Sequence, residues 1–288
     1  MPIPDVFSYA KPAEISEVNS LLNKFQGKSM ILAGGTDLAN MLKQGFPVPE
    51  IMIDIKAIPA LKKIEIVNDS VFIGSCVTFS EIIDSSLIKK HIPILWEAAN
   101  LVASNGIRNR ATMVGNICSA VPCMDSAAPL LVHEALIHLS ESLAERTIPV
   151  FKWFVDSRKT AIKENQFVTG VSIPLVKQKF GSSYNKMMRY SGEDLAQANV
   201  GILALEDKTF RVAFGSVGPI PKRSPKVENL LNKNGFSKET VEEAKHLIDR
   251  VIAPISDVRA TKEYRYHMTK VMFERGLKTA LERLEKSK

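Results

Sequence analysis

Apolar positions along this chain follow two periods, near 3.6 and near 2, and the changes of period mark its elements. The spacing predicts a helix from Ile15 to Phe25, a strand over 29–33, a helix over 37–44 and a strand from Ile51 to Ile55. Two short runs at 63–67 and 71–76 flank Asn68-Asp69, a pair suited to a turn. Helices are expected at 79–84 and 94–104, the second carrying Leu95, Ala98, Leu101 and Val102 on one stripe and leaving through Asn105-Gly106. Phe167 to Ile173 is a β-rich run stopped by Pro174. A strand around Tyr184–Arg189, an alternating run at 209–217, a loop at Pro221–Pro225 and helices over about 238–251 and 257–285 complete the pattern. Three regions follow, 1–55, 56–177 and 178–288, with no internal repeat or low-complexity segment.

Two of the joints carry chemistry. Residues Leu32-Ala33-Gly34-Gly35-Thr36-Asp37 link a predicted strand to a predicted helix through two glycines. Such a turn leaves several backbone N–H groups pointing one way, with the positive end of a helix dipole behind them, and so attracts phosphate. It is neither the glycine pattern of a dinucleotide-binding βαβ unit nor a P-loop. Taken alone, it reads first as a tight turn in which Thr36 or Asp37 caps the next helix.

The second joint is 107–125, rich in small polar residues and poor in side chains for a core. Thr112, Asn116, Ser119 and Asp125 can hydrogen-bond there, and Gly115 lets a ligand approach the backbone. A long polar loop before the apolar stretch 127–137 is read as a binding loop. Two glycine-bearing loops suit a long, kinked, polar cofactor: one holds a diphosphate, the other a ribityl or ribose chain, with Asp125 accepting from hydroxyls. The plain reading of Asp125 is a turn residue or a cap on the next helix.

These residues, in this order, resemble the FAD-binding subunit of the molybdenum hydroxylases, the family of xanthine dehydrogenase and carbon monoxide dehydrogenase. The resemblance runs through Ala33-Gly34-Gly35-Thr36-Asp37-Leu38, Ile107-Arg108-Asn109, Thr112 with Gly115-Asn116, and Asp125 with Pro129. It continues through Lys186, Arg189 and Glu193-Asp194-Leu195-Ala196, then Gly215 to Pro221, then Ile255-Ser256-Asp257-Val258-Arg259 to Tyr264-Arg265. It implies an α+β fold: a two-part FAD-binding domain, 1–55 and 56–177, and a C-terminal α+β domain, 178–288, with a small antiparallel sheet and helices.

The resemblance also implies the cofactor and its residues. FAD would be held by Leu32, Ala33, Gly34, Gly35, Thr36 and Asp37 on one side and by Thr112, Val114, Gly115 and Asn116 on the other. Asp125 would bind hydroxyls, Val168 would pack on the cofactor, and Lys186 would place a positive charge beside the flavin. Glu193 or Asp194 would tune it from the edge. On their residue types alone, Lys186 is an exposed strand lysine and Val168 plain core. One departure stands out: the family has two glycines where this chain has Val114-Gly115. A valine there either crowds the cofactor or points away.

Composition changes the picture little. The chain of 288 residues has ordinary apolar and charged fractions and a net charge of +7. From Arg259 to Lys288 nine Lys or Arg face four Glu, read as an amphipathic helix with a basic outer face. No groove-binding motif accompanies that charge, so no nucleic-acid partner is expected. No apolar stretch is long enough to span a bilayer and no signal-peptide pattern opens the chain, so no membrane partner and a cytoplasmic location are expected. Three cysteines, Cys76, Cys118 and Cys123, are too few for an iron–sulfur cluster, and no metal-ligand spacing or catalytic triad occurs. With the FAD that the resemblance implies, the flavin would bring the redox chemistry. The resemblance therefore implies a partner large subunit with molybdopterin and a small 2Fe-2S subunit, whose electrons pass through FAD to NAD+ or another acceptor. Two alternatives remain: a scaffold subunit with a weakened flavin site, and a stand-alone flavin reductase of the UDP-sugar type. The second lacks its catalytic Ser and Glu here.

Overall fold

The computed structural model describes residues 6–142, 144–190 and 192–287. Its first part runs β1 (Ser8–Ala10), α1 (Ile15–Phe25), β2 (Ser29–Leu32), α2 (Leu38–Lys43) and β3 (Ile51–Asp54). The three strands form a parallel sheet in the order β1-β3-β2. All four residues of β3 are buried, as a central parallel strand requires. Helix α1 buries Val18 and Leu22 in the small core that also holds Ile51 and Ile53. Edge strand β2 ends at Leu32, so the glycine turn emerges at the carboxyl end of the sheet, where open parallel sheets bind ligands.

The second part contains β4 (Ile64–Val67), β5 (Ser70–Gly74), α3 (Phe79–Asp84), α4 (Ser86–His91), α5 (Pro93–Asn100), α6 (Asn105–Arg108), α7 (Met113–Ser119) and α8 (Ala127–Val132). It continues with β6 (Leu136–Glu141), β7 (Ala144–Pro149), β8 (Phe154–Asp156), β9 (Lys159–Thr160) and β10 (Gln166–Pro174). Five of these strands make an antiparallel sheet ordered β4-β5-β10-β6-β7. The β4–β5 turn lies where the sequence places it, with Asn68 and Asp69 at φ +48° and +59°. The helix expected over 94–104 ends earlier, at Asn100, and Ala103 rather than Gly106 takes the left-handed conformation. Ser104 then caps a new short helix that contains Gly106.

The third part is β11 (Phe180–Met187), β12 (Ala198–Leu205), β13 (Phe210–Gly215), β14 (Lys222–Arg223), α9 (Pro225–Asn234), α10 (Lys238–Ile248) and α11 (Lys262–Lys286). Its sheet is antiparallel, ordered β11-β12-β13-β14. Every residue of β12 is buried. Helix α11 crosses one face so closely that a Cβ on Gly276 would meet the side chains of Ser183, Asn185 and Ile202. The opposite face meets α8 of the second part, where Gly201 lies against Ala128. The basic outer face expected of α11 holds only in part, since Arg265 is buried. No helix among the described residues is long and apolar enough to cross a membrane.

Candidate functional site

After Leu32 the backbone turns through Gly35 at φ +76°, a conformation that side-chain-bearing residues rarely adopt. Among the described residues no protein acceptor takes the backbone N–H groups of Gly34, Gly35, Thr36 and Asp37. The loop from Ala33 to Asp37 is half-buried, so these donors stay reachable. Asp37, just before α2, is already in helical conformation and its carboxylate makes no capping bond. That carboxylate instead lies 3.5 Å from the Arg158 guanidinium. The capping alternative for this turn is not taken.

Gly34 brings the two expected loops together. A Cβ at that position would collide with the carbonyl of Arg110, so the backbones at 34 and 110 touch. The second joint is not a loop poor in core residues. Thr112 caps α7, its Oγ1 accepting the Gly115 N–H at 3.0 Å, and Met113, Val114 and Ile117 face the main core. The Val114 side chain, 2% exposed, thus points into the core. The N–H of Gly115 belongs to the cap, and the amide of Asn116 accepts from Ser126 Oγ at 2.6 Å.

Arg158 escaped the sequence reading. It occupies the turn between β8 and β9 at φ +57°, donates its N–H to the Ala120 carbonyl at 2.9 Å, and stacks over Phe46 with 6.0 Å to the ring centre. Its position beside the glycine turn arises from folding a hairpin 121 residues away onto Asp37. No local sequence signal marks it.

Asp125 and Lys186, predicted separately, are bound to each other. Lys186 Nζ lies 2.9 Å from Asp125 Oδ2 and donates to the Leu101 carbonyl at 2.8 Å. The hydroxyl of Tyr184, on the same face of β11, donates to Asp125 Oδ1 at 2.7 Å. The Lys186 side chain is 1% exposed and that of Asp125 8%. Lys186 is therefore not an exposed strand lysine, and Asp125 does not cap α8, whose N-cap position is Ser126. Burial pushes the Asp125 carboxyl up from its ordinary value, against the pull of Lys186 and the Tyr184 hydrogen bond. Burial and the Asp125 charge drive the Tyr184 hydroxyl well above its usual range.

The remaining candidates make other contacts. Val168, 5% exposed, packs in the main core beside a register shift in β10. Asp194 accepts from the Arg189 guanidinium and backbone, which hold its carboxyl down to about 2. Glu193 is exposed.

Residues 5–176 match the family described as the FAD binding domain in molybdopterin dehydrogenase, and 182–280 match the CO dehydrogenase flavoprotein C-terminal domain. The carbon monoxide dehydrogenase medium chain of Hydrogenophaga pseudoflava is 30% identical over 282 residues, covering 96% of this chain and 98% of that one. The xanthine dehydrogenase FAD-binding subunit of Escherichia coli O157:H7 is 29% identical over 286 residues, covering 96% and 97%. A solved carbon monoxide dehydrogenase from H. pseudoflava, lacking the Mo-pyranopterin moiety of its cofactor, superposes with a TM-score of 0.93 at 31% identity, over 98% of this chain and 99% of that one. The α+β fold is that of these medium chains, the cofactor is FAD, and the uncommitted N–H groups of 34–37 fit its diphosphate. This chain belongs to the family of FAD-binding subunits of the molybdenum hydroxylases and is a subunit of an FAD-dependent dehydrogenase.

Proposed function

We propose that this subunit collects electrons from iron–sulfur clusters of a small partner subunit and passes them, through FAD, to NAD+ or another acceptor, while substrate is hydroxylated on a molybdopterin-containing large subunit. FAD supplies the redox chemistry when bound; the chain supplies binding, orientation and charge. Backbone N–H groups of Ala33, Gly34, Gly35, Thr36 and Asp37 hold the diphosphate, with Leu32 ending the strand that aims them. Thr112, Val114, Gly115 and Asn116 form the second wall, Val114 through its backbone because its side chain is in the core. Asp125 and Lys186 complete the site on the far side, and Val168 backs it from the core. The division into 1–55, 56–177 and 178–288 belongs to the same reading, supported by strand pairing: no sheet among the described residues joins strands of two of these regions.

The observation that carries the reading is the contact of Gly34 with Arg110, which joins two loops far apart in sequence around uncommitted donors. Relatives include medium chains from enzymes named for carbon monoxide and for nicotine, which agrees with a substrate pocket on another chain. Exposed Ile255 and Val258, 70% and 94% accessible, suit a subunit covered by a partner. The scaffold alternative drew on Val114, and with that side chain in the core no observation favours it.

The test is the absorption spectrum of the purified chain, before and after refolding with FAD. Flavin bands, with the released cofactor identified as FAD, are expected. Co-expression with molybdopterin and 2Fe-2S subunits should then yield a complex whose flavin is reduced by substrate. A colourless chain that refuses FAD, alone and in the complex, would return the scaffold reading.

A further inference from the structure

The Asp125–Tyr184–Lys186 cluster contains more than two cofactor contacts. An ammonium has three N–H donors, and the protein takes two of those on Lys186: one by Asp125, one by the Leu101 carbonyl. With 1% of the side chain exposed, its charge is felt at short range and barely screened. Asp125 is the counter-charge, and Tyr184 holds the carboxylate oxygen that Lys186 does not. The cluster also bridges the two matched domains, Asp125 lying in one and both its donors in the other.

We propose that Tyr184 is a positioning residue that sets how much positive charge Lys186 presents to the bound flavin, acting through Asp125. This rests on the proposed placement of Asp125 and Lys186 at the cofactor. The phenol hydrogen bond favours the ionised carboxylate in a buried place, and fixes it against the ammonium. With the hydroxyl present, the pair is close to neutral. Without it, the carboxylate is less firmly ionised and less firmly aimed, so Lys186 is less compensated. Reduction adds negative charge to the flavin. Extra uncompensated positive charge therefore favours the reduced form over the oxidised one and raises the midpoint potential.

The experiment is a spectroelectrochemical titration of the full chain loaded with FAD, with FAD affinity measured alongside. Tyr184→Phe, which removes one oxygen, should keep FAD affinity within a few-fold yet shift the reduced-to-oxidised affinity ratio about tenfold toward reduced, an upward shift of about 30 mV for a two-electron couple. Asp125→Asn should move the potential the same way by at least as much, and Lys186→Gln the opposite way. Because Tyr184 acts through Asp125, Tyr184→Phe should add nothing in the Asp125→Asn background. Should Tyr184→Phe not fold, 3-fluorotyrosine at 184, a stronger donor, should lower the potential. An unchanged potential in the Tyr184 variant, or a shift that persists without the Asp125 carboxylate, overturns the proposal while leaving the flavoprotein reading intact. Failure of the unmodified chain to take up FAD, or no response to Lys186→Gln, counts instead against the placement on which it rests.

Discussion

Gly35 stands at φ +76°, and a Cβ there would also press on Leu32 Cδ1 at 2.8 Å. Gly35→Ala should therefore distort the turn that holds the uncommitted N–H groups of 34–37, at a cost of about 1–2 kcal/mol for the left-handed backbone alone. The expected result is at least a tenfold loss of FAD affinity by fluorescence titration, whereas His246→Ala, on the outer helix α10, should change nothing. Full affinity in the Gly35 variant would remove the first loop from the site. His133 offers a different test. Both its ring nitrogens are buried without a partner among the described residues, and burial, with the Arg211 charge adding to it, holds its pKa down to about 4. Between pH 6.5 and about 4 the unfolded chain binds a proton that the folded chain refuses, so stability falls as the solution is acidified through that window. The loss approaches about 3 kcal/mol. Urea midpoints should decline less steeply over this range in His133→Leu than in the unmodified chain; equal slopes would show that His133 finds a partner in solution.

Among the elements, α7 shows how an informative segment can be read for its residue types and missed for its shape. Thr112, Gly115 and Asn116 were legible as polar and small, but their order is also that of an N-cap followed by its first turn. Thr112→Ala should cost about 1 kcal/mol of stability by leaving the Gly115 N–H without its acceptor, and Thr112→Ser should restore it. A thermal melt of both variants decides this, and equal melting temperatures for alanine and threonine would sink it. Strand β12 was missed for the opposite reason. Its run Ala198-Asn199-Val200-Gly201-Ile202-Leu203-Ala204-Leu205 does not alternate, because α11 covers one face and α8 the other. Helix α9 follows a visible signal, Ser224 before Pro225, within what the spacing presented as a loop.

At the scale of the whole molecule, the pattern of apolar spacing was enough for the helix Ile15–Phe25, the first hairpin and the last helices, because each depends on neighbours within a few residues. The ordered set of glycine, threonine and aspartate positions was likewise enough for the family and for FAD, since small and hydrogen-bonding residues are the types through which a chain can bring backbone or side-chain oxygen to a polar cofactor. What no local pattern contains is which distant residues meet. The touch of Gly34 on Arg110, the arrival of Arg158 at Asp37, the inward turn of Val114 and the joining of Asp125 to Tyr184 and Lys186 all cross between elements. Periodicity along a chain reports which face of an element is buried, whereas the partner on that face is chosen by how sheets and helices pack. The residue types and the fold class were thus determined by sequence alone, while the pairing that balances a buried lysine against a buried aspartate was decided only when two domains closed around it.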